Sequence, residues 1–317
     1  MNRRAAEYPR EPELQAHPYA AVVRNLPARS SSGPFRVVEL NLAGGARFEE
    51  IARCLGRAPL AEASVILLCE ADWRTARSGR REVAAELAVR LGMSMAYLPE
   101  FGRRIHGGEK MAFMGNAILS AAPLEEVHAI AMPDPHPGDS RNLRRGYDGG
   151  FTGLAARAKF GAASLWIGVA HLHSRCAPAG RAAQIGGYLD SFPKDGRAIF
   201  GGDLNSTTTE LMSAAAYART FANMLLNSRR FRNPQRHEPM FARMAAAGFA
   251  IDGANALGRP TFTFSRAIPP LWRPRLDWIA LRGVRPVANS AAVVPARRSF
   301  ASRRLSDHDF ITVALDI

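Results

Sequence analysis

The chain has 317 residues, 47% of them hydrophobic, enough to bury a sizeable core in one large domain or two small ones. No run approaches the ~18–20 apolar residues that a membrane-spanning helix needs, so none is expected. The net charge is +14 and nearly all of the 42 basic residues are Arg, which suits a polyanionic partner. Nucleic acid, anionic lipid and polyphosphate all meet that description, so the charge supports the class without selecting a member. The three Cys are odd in number and lack metal-ligand spacing, which argues against a disulfide framework. The basic start Met1-Asn2-Arg3-Arg4 has no apolar stretch after it, so no secretory signal is read and a cytoplasmic location is expected.

Residues 1–34 are polar and rich in Pro and Arg, and read as a mobile arm with a short helix near residues 19–26. Residues 35–317 read as one domain. Val37-Val38-Glu39-Leu40-Asn41 is a short strand ending in Asn, and Val65-Ile66-Leu67-Leu68-Cys69-Glu70 a buried one ending in Glu. Helical spacing covers residues 48–55 and 80–91, and a strand returns at 111–119. Residues 132–150 form a loop dense in Pro, Gly, Asp and Arg, including Arg141, Arg144, Arg145 and Tyr147. Strands follow at 151–160 and 164–170, the second running into His171-Leu172-His173. Residues 181–189 look helical. Ala198-Ile199-Phe200-Gly201-Gly202-Asp203-Leu204-Asn205 is a strand ending in Asp-x-Asn. Residues 210–226 and 239–247 read as helices around a basic stretch with Arg229, Arg230 and Arg232. Strands are expected at 261–265, 276–281 and 309–315. The mixture of strands and helices fits an α/β or α+β fold with two packed sheets.

Each of these apolar strands ends in a polar side chain that is costly to bury alone. Asn41, Glu70, His171, Asp203, Asp277 and the Asp307-His308 pair therefore point to one shared site at a sheet edge. A His acting on a phosphate needs a carboxylate to fix its tautomer and stabilise its charge. Asp277 is the candidate partner for His308.

In order and spacing these motifs resemble the endonuclease/exonuclease/phosphatase superfamily, the DNase I-like group. The match rests on the strands ending in Asn41 and Glu70, on Gly115-Asn116-Ala117-Ile118-Leu119-Ser120, and on His171-Leu172. Gly202-Asp203-Leu204-Asn205, Leu276-Asp277-Trp278 and Ser306-Asp307-His308 complete it. The resemblance implies a four-layer sandwich, with two mixed β-sheets flanked by helices and the site at one end. It implies metal ligation by Asn41, Glu70 and Asp307, with Mg²⁺ as the cofactor and Mn²⁺ as its substitute. It implies catalytic roles for His171, Asp203, Asn205, Asp277 and His308. Asp203 would orient or deprotonate water, Asn205 would donate to the phosphoryl oxygen, and His308 would stabilise developing charge. Substrate contacts are expected from Asn116, Arg157 and His173, the last lying two residues from His171 and hence on the same strand face. Two departures stand out. Ala170 replaces the Thr of the family's Thr-His-Leu, and Cys69 replaces the Gln before the metal Glu.

The expected activity is Mg²⁺-dependent phosphodiester hydrolysis by in-line attack of water, with nucleic acid as the first substrate class. The alternative is a phospholipid, sphingomyelin-type or inositol-phosphate hydrolase, which would need an apolar exposed loop near the site. The sequence offers residues 268–272 for that. A catalytically inactive binding protein is the remaining alternative. The presence of Glu70, Asp203 and His308 argues against it.

Overall fold

Strands that are apolar on both faces require cover on both sides, and this chain supplies it as two sheets between helices. The computed structural model describes residues 20–29, 33–104, 111–136, 148–265, 268–297 and 303–317. In chain order the elements begin with β1 (Val22–Arg24), β2 (Phe35–Gly44), α1 (Phe48–Leu55), β3 (Ala63–Trp73), α2 (Val83–Leu91), β4 (Ser94–Arg104) and β5 (Met111–Ser120). The second sheet and its helix follow as β6 (Leu124–Ala131), β7 (Asp148–Gly149), β8 (Thr152–Phe160), β9 (Ala163–Ala170), α3 (Pro178–Ser191) and β10 (Arg197–Asp203). Then come α4 (Ala214–Leu226), α5 (Ser228–Arg232), α6 (Met240–Ala246), β11 (Asp277–Arg282), β12 (Arg285–Pro286), β13 (Ala292–Val294) and β14 (Phe310–Asp316).

The first sheet runs β1-β4-β5-β3-β2-β14-β12, with β13 also paired to β14 and β7 to β4. The second runs β11-β10-β9-β8-β6. Each is mixed, since β2 and β3 are parallel, as are β9 and β10, among antiparallel neighbours. The period-2 alternation assigns side chains to layers. Val37, Val65 and Leu67 meet Val169, Ile199 and Ile279 between the sheets. Val38, Leu40, Ile66 and Leu68 face the other way, onto α1 and α2. Ala198, Phe200 and Trp278 pack outward onto α3 and α6, through Tyr188, Met240 and Phe241. This is the four-layer sandwich the resemblance implies. Among the described residues no helix is long and apolar enough to cross a membrane.

Three local expectations are corrected. The helix near residues 19–26 is instead β1, whose Val22 and Val23 pair with Tyr97 and Ala96 on the edge of the first sheet. Part of the presumed arm is therefore sheet; a short apolar run does not separate helix from strand by periodicity, and here an edge partner decides. Residues 261–265 form no strand. Phe262 makes a single bridge to His308, and Thr263 N–H donates to Asp307 O before the chain turns away towards Pro269-Pro270. The strands β4 and β6 were not anticipated.

The topology explains where the polar strand ends go. The parallel pairs β2/β3 and β9/β10 finish at one rim of the sandwich. Their antiparallel neighbours β14 and β11 start there, with Asp203 opposite Asp277 and Glu39 opposite Ile311. Six segments distant in sequence thus deliver their polar termini to one place.

Candidate active site

Asp203 is the hub. Its Oδ1 accepts the Asn205 backbone N–H at 3.0 Å and its Oδ2 accepts from Asn41 Nδ2 at 2.9 Å. The same Asn41 amide donates to Glu70 Oε1 at 3.3 Å, so one side chain ties two carboxylates together. His171 Nε2 and His308 Nε2 approach Asp203 Oδ2 at 3.7 and 3.6 Å from either side. His171 Nε2 is also 3.9 Å from Glu70 Oε1.

Backbone irregularities aim these groups. Glu70 sits at φ +51° where the β3/β5 register shifts between Leu68 and Ala71. Simple alternation would point Glu70 at the α1/α2 layer with Leu68. The bulge turns it to the rim instead, a use to which β-bulges are commonly put next to active sites. Asn205 is likewise at φ +47°. Gly202 has φ +143°, and a side chain there would strike the Ala170 carbonyl, so β9 and β10 can only approach this closely at a glycine. Cys69, which stands where the family has Gln, points between the sheets and takes the Asp203 N–H on Sγ at 3.4 Å.

Each imidazole is backed by a buried carboxylate. His308 Nδ1 lies 2.9 Å from both Asp277 oxygens, and Ser306 Oγ accepts the His308 N–H. Arg275, two residues before Asp277, does not compete for it. That guanidinium bonds Ala256 O, Arg259 O and Asn255 Oδ1, and stacks over Trp278. His171 Nδ1 lies 3.3 Å from Glu100 Oε2. Glu100 was missed from sequence, although Tyr97-Leu98-Pro99-Glu100 repeats the pattern of an apolar strand ending in an acid. Burial opposes charge on both rings. For His171 the carboxylates of Glu100, Asp203 and Glu70 outweigh it and lift the imidazole to about 10. For His308 burial is outweighed by Asp277 and Asp203, and the imidazole stands well above its ordinary range. Both rings are thereby biased towards their charged form. A further unforeseen acid is Glu39, fully buried with neither oxygen hydrogen-bonded, whose carboxyl burial, Asp277 and Asp203 push well up.

The remaining expected site residues divide. Asn205 belongs to the cluster, but its Nδ2 donates to Leu172 O at 2.8 Å. Asp307 is exposed at the rim, with Oδ1 3.3 Å from Ser306 Oγ. Asn41 turns its N–H, not its oxygen, towards the carboxylates, while Oδ1 accepts the Ala43 N–H. Asn116 is buried and donates to Thr152 O, holding β5 to the second sheet. His173 is not beside His171 on a common face. Strand β9 ends at Ala170, and the His173 Nδ1 accepts the N–H groups of Arg175 and Cys176, closing a turn. Arg181 and Gln184 brace that turn, through Cys176 O and the His173 N–H. Arg157 is not at the site. Its neighbours Ala156 and Ala158 fill the space between the sheets, so Arg157 faces outward, pairing with Glu126 and stacking on Trp166. Arg141, Arg144, Arg145 and Tyr147 lie outside the described residues.

Glu70 is partly exposed beside the hub and, among the described residues, paired with no Arg or Lys, and its carboxylate is a hard oxygen donor of the kind Mg²⁺ takes. Asp203, Asp277 and His308 also place ligand atoms within 4.8 Å of one another, but Asp277 is already spent on the imidazole. A buried acid between two carboxylate-backed imidazoles, next to a partly exposed carboxylate, defines a centre suited to an anionic ester.

The chain belongs to the Endonuclease/Exonuclease/phosphatase family, which it matches over residues 38–308. Members of this family are generally hydrolases acting on phosphoester bonds. An endonuclease/exonuclease/phosphatase from Beutenbergia cavernae DSM 12333 has a similar structure, with a TM-score of 0.59 at 18% identity, over 89% of this chain and 71% of that one. D. rerio TDP2 complexed with single strand DNA product gives 0.52 at 18% identity, over 90% and 100%. The human Nocturnin catalytic domain with bound sulfate anion gives 0.54 at 16%, over 97% and 98%. At such identities the likeness is one of fold. No curated protein matches by sequence comparison.

Proposed function

We propose that the protein is a Mg²⁺-dependent phosphodiesterase acting by in-line attack of water. The observation that carries this reading is the Asp203 carboxylate, held by Asn41 and the Asn205 N–H between two carboxylate-backed imidazoles. Glu70 would hold the metal, with Asp307 at the rim as a further carboxylate, and the metal when bound would neutralise phosphate charge and polarise the ester. Asp203 orients the attacking water and accepts its proton on Oδ2. His308, kept charged by Asp277, donates from Nε2 to the phosphoryl oxygen as charge builds there, and His171 does so from the opposite side. Asn41 holds the two carboxylates at a fixed separation.

Nucleic acid is the first substrate class for this activity, one of the polyanions that a charge of +14 suits, acted on in the cytoplasm. A second reading, a lipid-type phosphodiester, is favoured by a specific observation. The 268–272 segment does present an apolar side chain to solvent, with Leu271 51% exposed. Hydrolysis assays with DNA, RNA, sphingomyelin and an inositol polyphosphate, with and without Mg²⁺, separate the two. Glu70→Gln should abolish turnover of whichever is cleaved without altering the fold, and unchanged activity removes Glu70 from the metal site.

A further inference from the structure

Helix α4 and residues Phe264, Ile268 and Pro274 enclose a groove of about 280 Å³ that no part of the proposed catalytic centre uses. Its walls are Leu211, Tyr217, Phe221, Met224, Phe264 and Ile268, floored by Phe231 and Pro274. Besides the Tyr217 phenol, the polar side chains on the lining are Thr207 and Thr220, which spend their hydroxyls on Thr209 and so offer little to a ligand's polar edge. Nucleobases carry such edges, and a groove of this kind leaves them unpaired.

The groove is joined to the catalytic centre. The Phe264 ring meets the Phe262 ring edge-on at 4.6 Å, and Phe262 lies against the His308 imidazole at 4.8 Å. Thr207 follows Asn205 by two residues, and Pro274 precedes Asp277 by three. The rim is apolar too. Of the eleven described large apolar side chains that are exposed, Tyr217, Phe221 and Phe264 line the groove, and Leu225, Leu226 and Leu271 lie on the same helix and the same loop. An isolated exposed apolar residue needs no explanation, but a contiguous set around a groove marks a binding surface. Arg229, Arg230 and Arg232 follow at once on α5, so the apolar rim is continuous in sequence with cationic side chains.

We infer that this groove seats an aliphatic chain of the substrate, whose phosphodiester lies at Asp203 and His308, and that the substrate is therefore a lipid-type amphiphile. This role rests on the phosphodiesterase reading of the Asp203 centre, takes its lipid-type substrate over nucleic acid, and gives that substrate a second anchor. Apolar walls take the chain, the exposed rim meets the surface from which the chain comes, and the Phe262 ring separates the apolar compartment from the charged one.

The test reads binding apart from turnover. Titration calorimetry on the full-length protein uses n-alkyl phosphates of two to twelve carbons, kept below their micellar concentrations. Affinity should rise about fourfold per methylene, the ~0.8 kcal/mol that burying a CH₂ yields, until the groove is full. Phe221→Asp and Tyr217→Asp, both exposed positions that leave the core intact, should flatten that series. Affinity independent of chain length overturns the proposal, as does a chain-length series unchanged in both variants. Nucleoside monophosphate binding that is weakened by the same variants, with no chain-length effect, reassigns the groove to a base. Glu70→Gln should keep the chain-length series while losing hydrolysis. If the wild type binds long chains but cleaves no phosphodiester in any assay, the catalytic reading fails and the groove stands. Co-sedimentation with phosphatidylglycerol vesicles that is lost in Phe221→Asp places the chain in a bilayer, whereas monomer binding alone places it on a soluble amphiphile; either result supports the groove's role.

Discussion

The two imidazoles flank Asp203 at nearly equal distance, yet their supports differ. His308 faces both oxygens of Asp277 at 2.9 Å, and Asp277 is further fixed by the bonds of its own backbone N–H and that of Leu276 to Thr261 Oγ1. His171 faces one oxygen of Glu100 at 3.3 Å, and the other Glu100 oxygen has no hydrogen-bond partner. Burial raises the carboxyl of each backing acid, against the pull of the neighbouring imidazole. The first dyad is a fixed unit. The second is held by a longer, single contact. Charge is shared between the sides, but rigidity is not, so losses on the two sides should be unequal.

The largest effect should follow from the rigid side. His308→Ala should lower kcat by on the order of 10³, within the range that positioned acid–base groups contribute. Asp277→Asn should come close to it, and the double variant should lose little more, because the pair acts as a unit. Additive losses in steady-state assays would dissolve the dyad. Glu100→Gln should cost less, roughly 10- to 100-fold, as for groups that orient another catalytic side chain. It should also bring the His171 titration down from about 10 when followed by NMR in the metal-free protein. The sign is fixed by the folded value lying above the ordinary 6.5. Stability from this ring is fully present below that value and is lost as pH rises through about 10. In Glu100→Gln the alkaline loss should shrink, and an unmoved titration would detach Glu100 from His171. The smallest effect should come from Arg157→Ala, on the outer face. Stability should fall by under ~1 kcal/mol, as for partly exposed ion pairs, with kcat unchanged within about twofold. A large kcat loss there would mean that the second sheet transmits strain to the hub.

Much of this centre was legible because burial makes polar strand ends informative. Asn41, Glu70, His171 and Asp203 follow apolar runs that exclude water, Asp277 and His308 precede such runs, and the structure brings all six together. What failed did so for local reasons. The two-residue rule that grouped His173 with His171 holds only while the chain is extended, and β9 ends one residue before His171. Arg157 was read for its charge without its parity; the small Ala156 and Ala158 on either side were the sign that it points the other way. Glu100 was overlooked because Pro99 disguises the strand that carries it, yet β4 accommodates Pro99 where its pairing with β5 shifts register. The Glu70 bulge leaves no trace in composition. It is visible only as a φ of +51°.

The two dyads cross between sheets in opposite senses. His171 follows β9 of the second sheet and is backed by Glu100 of the first, while His308 precedes β14 of the first and is backed by Asp277 of the second. Neither leaflet owns a complete proton-holding pair. A chain with all its strands formed but its leaflets unmated would carry every residue of the centre and assemble none of it. The centre therefore exists only where the two sheets are packed together, and a change that loosens their packing should disarm it before any of its own residues is touched.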